Sequence, residues 1–213
     1  MAGQALSAGM GEAVYLITAK DFCMSAVKIQ TVTGYDEKLV VELVELQKKA
    51  FPAHMQLAEP ARYYADGLRD DNSMNIVMHD QNDKLIGHLQ AFPQSSVYEE
   101  LTRWDPAMQD DPERVYLDII QVLPEQRQRS NGLRLFQAVC AEAEKRNIFK
   151  LSMHARTITG LNEYLHRIFA EIRFLRRIEN WYGFGEPFDY LEATTTLRAA
   201  ANSTYRQGLA DLE

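Results

Sequence analysis

The sequence predicts a mixed α/β domain, and three observations carry that expectation. Residues 74–92 alternate around a polar turn as a β-hairpin does. Residues 115–155 run strand, short basic loop, amphipathic helix, strand. Residues 35–51 repeat apolar side chains every three or four positions and stop at Pro52. Hydrophobic residues make up 46% of the 213 positions, enough to bury a core and too many for a disordered chain. The simplest division is one domain over residues 25–196, an N-terminal extension over 1–24 and a C-terminal tail over 197–213.

In chain order, residues 13–18 are apolar enough for a short strand whose place in the sheet is open. From Ser25 to Thr33, Val27, Ile29 and Thr31 alternate with Lys28 and Gln30, which reads as the first firm strand, ended by Gly34. Leu39, Leu43, Leu46 and Ala50 then share one face of a helix, and residues 58–69 form a weaker second one. Met74 to Met78 and Lys84 to Phe92 are the two strands of the hairpin, joined through His79 to Asp83. A short helix and an acidic loop over 94–114 follow; the charge run there is chiefly a solvated face, with a rim that recruits an amine as the alternative. Val115 to Val122, Asn131 to Arg146 and Phe149 to Ala155 make a βαβ unit, so its two strands are expected to be parallel with a right-handed crossover. Residues 159–170 read as helix, 172–182 and 188–196 as closing strands, and 197–213 as a terminal helix or a mobile tail.

Composition narrows the function classes. Thirty acidic against 23 basic side chains give a formal charge of -7, which disfavours a general nucleic-acid binder and requires any phosphate site to be local. The two cysteines, Cys23 and Cys140, have neither zinc spacing nor a secreted-type framework, so a reducing cytoplasm and no metal centre are expected. No apolar run approaches the ~20 residues of a membrane span, and the first residues lack the pattern of a signal peptide.

The junction between Val122 and Val139 concentrates the chemistry. A strand that ends at a basic loop and enters a helix at once aims backbone N–H groups and a positive helix N-terminus at one point, which suits a phosphate. Val122, Leu123 and Pro124 lead to Arg127, Gln128, Arg129, Ser130, Asn131 and Gly132. This arrangement resembles the GCN5-related N-acetyltransferase (GNAT) superfamily, whose strand ends in Val or Ile before Pro and is followed by Gln/Arg-x-x-Gly-x-Gly/Ala. Gly132 matches the second glycine and Ser130 replaces the first. Downstream, the family's Asn, Tyr and Gly-Phe positions fall on Asn162, Phe169, Arg173 and Phe174, so the Asn and the last Phe agree and the Tyr does not.

The resemblance implies a mostly antiparallel central sheet with a parallel βαβ splay at strands 115–122 and 149–155, and helices on both faces. It implies acetyl-CoA, or another acyl-CoA, in that splay: the arm along Ile120, Gln121 and Val122, the pyrophosphate on Arg127 to Gly132, and Asn162 beside it. Glycine at 132 leaves room for close backbone approach to a phosphate, whereas Ser130 is small enough to cap the helix or donate to the ligand. Acetylating an alkyl amine requires removal of a proton from a group of reference pKa about 10.4. Asp118, a carboxylate interrupting an apolar strand, is the candidate base. The family's usual proton donor falls on Phe169, so Tyr164 and Tyr182 are the candidates in its place. His88 and Gln90 share one strand face, and Arg156 ends the strand beside the splay, which makes these three the candidate acceptor contacts.

The resulting expectation is transfer of an acetyl group from acetyl-CoA to a primary amine on a small molecule or peptide. A non-catalytic acyl-CoA sensor or scaffold of the same fold competes with it, as does an unrelated phosphate-binding module. The aromatic-rich stretch 169–188 suits a homodimer interface as well as a core.

Overall fold

The computed structural model describes residues 15–17, 27–127 and 129–199. Eight strands form one sheet: β1 (Tyr15–Ile17), β2 (Val27–Val32), β3 (Met74–His79), β4 (Leu85–Pro93), β5 (Arg114–Val122), β6 (Lys150–Arg156), β7 (Ile172–Ile178) and β8 (Phe188–Thr194). Their order across the sheet is β1-β2-β3-β4-β5-β6-β8-β7. Every pairing is antiparallel except β5 with β6, as the βαβ pattern required. The segment left open near residue 15 joins the main sheet by pairing with β2. Of the tail, Leu197 pairs with Phe169 across an isolated bridge, and residues 200–213 lie outside the described residues.

Among the described residues, five α-helices accompany the sheet: α1 (Glu37–Ala50), α2 (Pro60–Arg69), α3 (Gln94–Leu101), α4 (Asn131–Lys145) and α5 (Leu161–Ile168). The first begins where Asp36 Oδ1 accepts from the N–H groups of Lys38 (2.8 Å) and Leu39 (3.2 Å), satisfying two donors that have no helical partner. Its face of Leu39, Val40, Leu43, Leu46 and Ala50 is buried, as the spacing predicts. Pro60 opens α2 at a position where its missing N–H costs nothing.

Neighbouring residues of β4 show that the helices divide between the two faces. A side chain at Gly87 would meet Leu135 of α4, whereas the ring of His88, on the other face, packs edge-on against Tyr64 of α2. Phe136 of α4 packs on Phe169, which brings α5 to the α4 side. The main core lies on both faces of the central strands, and a second, smaller apolar cluster of Met55, Leu101, Met108, Tyr116, Trp181, Phe188 and Tyr190 sits apart from it.

Two irregularities of β5 position the functional region. Its parallel pairing with β6 covers only Arg114 to Leu117 against Lys150 to Met153. Beyond that point β5 continues on β4 and β6 continues on β8, so the sheet opens as a wedge. At the same point Gln90 faces Ile119 while the next residue, Ala91, faces Leu117. Asp118 is therefore the extra residue of a β-bulge, a device that re-aims a side chain out of the regular alternation.

Candidate active site

The wedge opens into a cleft of about 1270 Å³, larger than the roughly 300–1,000 Å³ of a typical small-ligand pocket, so it has room for a long ligand and a second molecule. Asp118, Ile119, Ile120, Gln121 and Val122 form one wall, and the start of α4 with Tyr164 of α5 forms another. Residues 51–57 and the loop around Trp181 to Phe188 close the far end.

Asp118 is the electrostatic centre. Its Oδ2 accepts a short hydrogen bond from the hydroxyl of Tyr63 on α2. Burial pushes its carboxyl up to about 6, with the charge of Glu100 adding to the rise and the Tyr63 bond opposing it. No cation pairs with Asp118 among the described residues. The carboxylate thus stays ionised at neutral pH while remaining basic enough to take a proton. Burial, the charge of Asp118 and the bond to it hold Tyr63 protonated, well above the usual phenol range.

The junction between β5 and α4 borders the cleft. Ile120, Gln121, Val122, Arg127, Ser130, Asn131 and Gly132 all line the cleft. Arg127 bonds the carbonyls of Val122 (3.2 Å) and Ala50 (2.7 Å), tying the end of β5 to the end of α1. Asn131 Nδ2 bonds Gln126 O (2.9 Å) and closes the turn. Gln128 lies outside the described residues, and Arg129 is exposed and does not line the cleft. Ser130 makes no side-chain cap; it takes the left-handed backbone (φ 59°, ψ 9°) that glycine adopts without strain, and its hydroxyl is left to other partners.

Gly132 gives a direct test of whether the cleft fits a phosphate-bearing cofactor. A Cβ there would meet nothing closer than Tyr164 Oη at 3.8 Å, so the chain's own packing does not require glycine. Glycine inside a helix costs roughly 0.5–1 kcal/mol relative to alanine, yet here it keeps the helix backbone bare where the first-turn N–H groups lack helical partners. The cradle fits.

Other expected site residues are placed differently. His88 and Gln90 are 0% exposed and do not line the cleft, because their shared face lies beneath α2. His88 Nδ1 meets Gln121 Nε2 at 3.2 Å, and burial lowers its pKa to about 3, so it is neutral. Gln90 lies against Gly67, and neither of its amide atoms has a hydrogen-bond partner. These two are core residues rather than acceptor contacts. Asn162 is also outside the cleft lining; its Nδ2 bonds Asp189 Oδ2 (2.5 Å), which Arg177 also holds. Arg156 does line the cleft and does hold a carboxylate, but that of Glu186, bidentately.

Tyr164 and Tyr182 both line the cleft. The Tyr164 hydroxyl has no hydrogen-bond partner among the described residues, and burial raises its pKa. Tyr182 donates to Glu100 Oε1 (2.8 Å), and burial and the Asp118 charge hold it protonated. Phe169 is fully buried, so it has no part in the cleft. Tyr63 and Trp181, which also line the cleft, were not among the expected site residues; Glu100 was expected only as part of an acidic face or amine-recruiting rim, and His154 only as a neighbour of Arg156 on one strand face. His154 stacks on Trp181 (3.6 Å between centroids) and bridges the Tyr116 hydroxyl (3.0 Å) to Asp105 (3.2 Å). Burial raises Asp105, but its bonds to His154 and Arg176 outweigh this and bring it down to about 2. Asp105, expected on a solvated face, is an anchor inside the protein.

Comparison with known proteins agrees with this geometry. Residues 40–172 match the model of the acetyltransferase (GNAT) family. Among solved structures, the chain is similar to an aminoglycoside 6'-N-acetyltransferase complexed with coenzyme A (TM-score 0.60, 15% identity, covering 80% of this chain and 98% of that one). It is also similar to the ribosomal-protein-S18-alanine N-acetyltransferase from Escherichia coli (0.56, 14%, 81% and 96%). A spermidine N-acetyltransferase chimera from Vibrio cholerae aligns likewise (0.57, 12%, 79% and 95%). At such identities these structures speak for the fold. No curated protein matches in sequence.

Two outcomes follow from the placement of Asp118 and Gln90. Tyr63→Phe removes the bond that favours the carboxylate, so the Asp118 pKa rises above about 6, read from the carboxyl carbon shift in an NMR titration. Because the folded pKa of Asp118 exceeds its unfolded value, stability falls as pH rises from about 4 to about 6, and the variant extends that fall to higher pH. Gln90→Met replaces an unpartnered buried amide by an apolar side chain of similar size and should raise unfolding free energy by about 1 kcal/mol in urea denaturation.

Proposed function

Since this chain belongs to the GNAT family of acetyltransferases, and is therefore an acyl-CoA-dependent enzyme that uses acetyl-CoA, we propose that it acetylates a primary amine bound beside Asp118. The observation that carries the reading is a carboxylate with no cationic partner, raised to about 6, at the point where β5 and β6 part. When bound, acetyl-CoA supplies an activated thioester carbonyl. Backbone groups of Ile120 to Val122 and of Ser130 to Gly132 are the residues that would hold it, with Arg127 bracing the loop.

Asp118 takes a proton from the incoming ammonium, directly or through water, so that a neutral nitrogen is available for attack. The Tyr63 hydroxyl fixes the carboxylate's orientation and tunes its basicity. Tyr164 is the better placed of the two tyrosines to hold a proton for the departing sulfur, since its hydroxyl is uncommitted and stands beside Gly132; Tyr182 is engaged by Glu100. A cytoplasmic setting is part of this reading. The one described free cysteine, Cys140, is buried and kept protonated by its surroundings, and no helix among the described residues is long and apolar enough to cross a membrane.

Asp118→Asn is expected to lower kcat by ~10²–10⁴-fold without changing acetyl-CoA affinity by calorimetry. The same substitution should raise Tm at pH 7, because it removes a buried charge; unchanged turnover would remove Asp118 from the mechanism. Gly132→Ala should leave the fold intact, or firmer by a few tenths of a kcal/mol, and weaken acetyl-CoA binding by about tenfold or more. Full affinity in that variant would separate the α4 N-terminus from the cofactor site.

A further inference from the structure

The acceptor end of the cleft has a composition that selects among amines, and what it selects rests on the acetyl-transfer reading above. Two carboxylates face this end. Asp118 is bonded by Tyr63, and Glu100 by Tyr182, and neither is paired with a cation among the described residues. The charge of Glu100 adds to the rise of the Asp118 carboxyl, and together the two make an electronegative end that an ammonium group would neutralise.

The floor beside those carboxylates is aromatic. Tyr182 is stacked between Trp104 (5.3 Å between centroids) and Phe184 (6.1 Å) and meets Trp181 edge-on (5.0 Å). Its backbone is held in the left-handed region (φ 50°), uncommon for a bulky residue, so the surrounding packing determines where its ring stands. Tyr182, Phe184 and Trp181 all line the cleft, and Phe51 and Val97 extend the apolar surface. Such a floor favours a flat apolar body.

The cations of the cleft are committed elsewhere. Arg156, at the end of β6, is held bidentately by Glu186, and His54 closes on the same carboxylate at 2.8 Å. Arg127 is bound to two backbone carbonyls. Arg167 lies over the Tyr164 ring, 6.0 Å from its centroid, on the Gly132 side. An acceptor carrying its own carboxylate would bring a third negative charge to Asp118 and Glu100, and the guanidinium that lines this end at the close of β6, Arg156, is already held by Glu186.

We propose that the acceptor is an arylalkyl primary amine without a carboxylate, its ring on the Tyr182, Phe184 and Trp181 surface and its ammonium between Asp118 and Glu100. An α-amino acid fails at the missing cation. A polyamine fails at the floor, which would face the methylene-separated charges of its remaining ammonium groups.

The test uses the full-length protein with four probes: 2-phenylethylamine, L-phenylalanine, n-butylamine and spermidine. In a thiol-release assay with acetyl-CoA, 2-phenylethylamine should exceed L-phenylalanine in kcat/KM by ~100-fold or more and n-butylamine by ~10-fold. Spermidine should also be the poorer substrate. Glu186→Gln releases Arg156 and should narrow the phenylethylamine-to-phenylalanine ratio by about tenfold. The chain's two tryptophans, Trp104 and Trp181, give a readout that needs no acyl donor: 2-phenylethylamine should quench their fluorescence saturably, and L-phenylalanine should not. Equal or better use of L-phenylalanine or spermidine would overturn the assignment, as would an acetyl-CoA-binding enzyme that turns over none of the four. Absence of acetyl-CoA binding in calorimetry would instead overturn the donor reading; selective quenching would still support the acceptor class, and its absence would end that too.

Discussion

The structure depends on a short partnership between two parallel strands. β5 and β6 pair over four residue positions and then separate, each keeping its antiparallel neighbour on the outer side. Backbone donors and acceptors are costly to leave unpaired away from water, so a wedge between two strands is a place that solvent or a ligand must satisfy. The other parts of the cleft are arranged around this opening. The α4 N-terminus borders it, the bulge at Asp118 falls at the first unpaired position, and the loops 51–57 and 181–188 line its far end. A continuous ladder from Arg114 to Val122 would leave no cleft.

Charge is distributed with equal economy. The chain is acidic overall, and two of the carboxylates facing the cleft, Asp118 and Glu100, have no ion-pair partner among the described residues, whereas Asp105, Glu186 and Asp189 are clamped by arginines and hold loops in place. Identical side-chain types therefore do opposite work: the arginine-held carboxyls of Asp105 and Glu186 have their pKa driven down, while the unclamped, buried Asp118 stays basic. Local departures from ease also gather here. Ser130 and Tyr182 both occupy the left-handed region, and the buried charge of Asp118 has no counter-ion among the described residues. Proteins retain such costs where function requires a particular arrangement.

Most of the architecture could be read from the sequence because its signals are local. Periodicity separated the helices from the strands, and the βαβ order implied the one parallel pair. The place of the loop from Arg127 to Gly132 was readable for the same reason, since the strand end, the turn and the helix start follow one another in the chain. Side chains that meet across the fold were not readable. Tyr63 and Asp118 are 55 positions apart, and Arg156 and Glu186 are 30 apart, so neither partner announces the other. The alternation in β4 placed His88 and Gln90 on one face, as they are, but alternation does not say which face a helix will cover. The bulge adds a further difficulty, because one unpaired residue changes the parity of everything beyond it.

The four-position contact between β5 and β6 also sets how the two parts of the sheet hold together. Strands β1 to β5 on one side and β6 to β8 on the other share few main-chain hydrogen bonds, and Phe136 of α4 adds side-chain packing on Tyr164 and Phe169. A molecule lying in the wedge touches both sides and acts as a missing rung. Because it binds the folded sheet and not the unfolded chain, its binding free energy is added to the stability of the fold. The seam that admits the ligand is the seam the ligand mends.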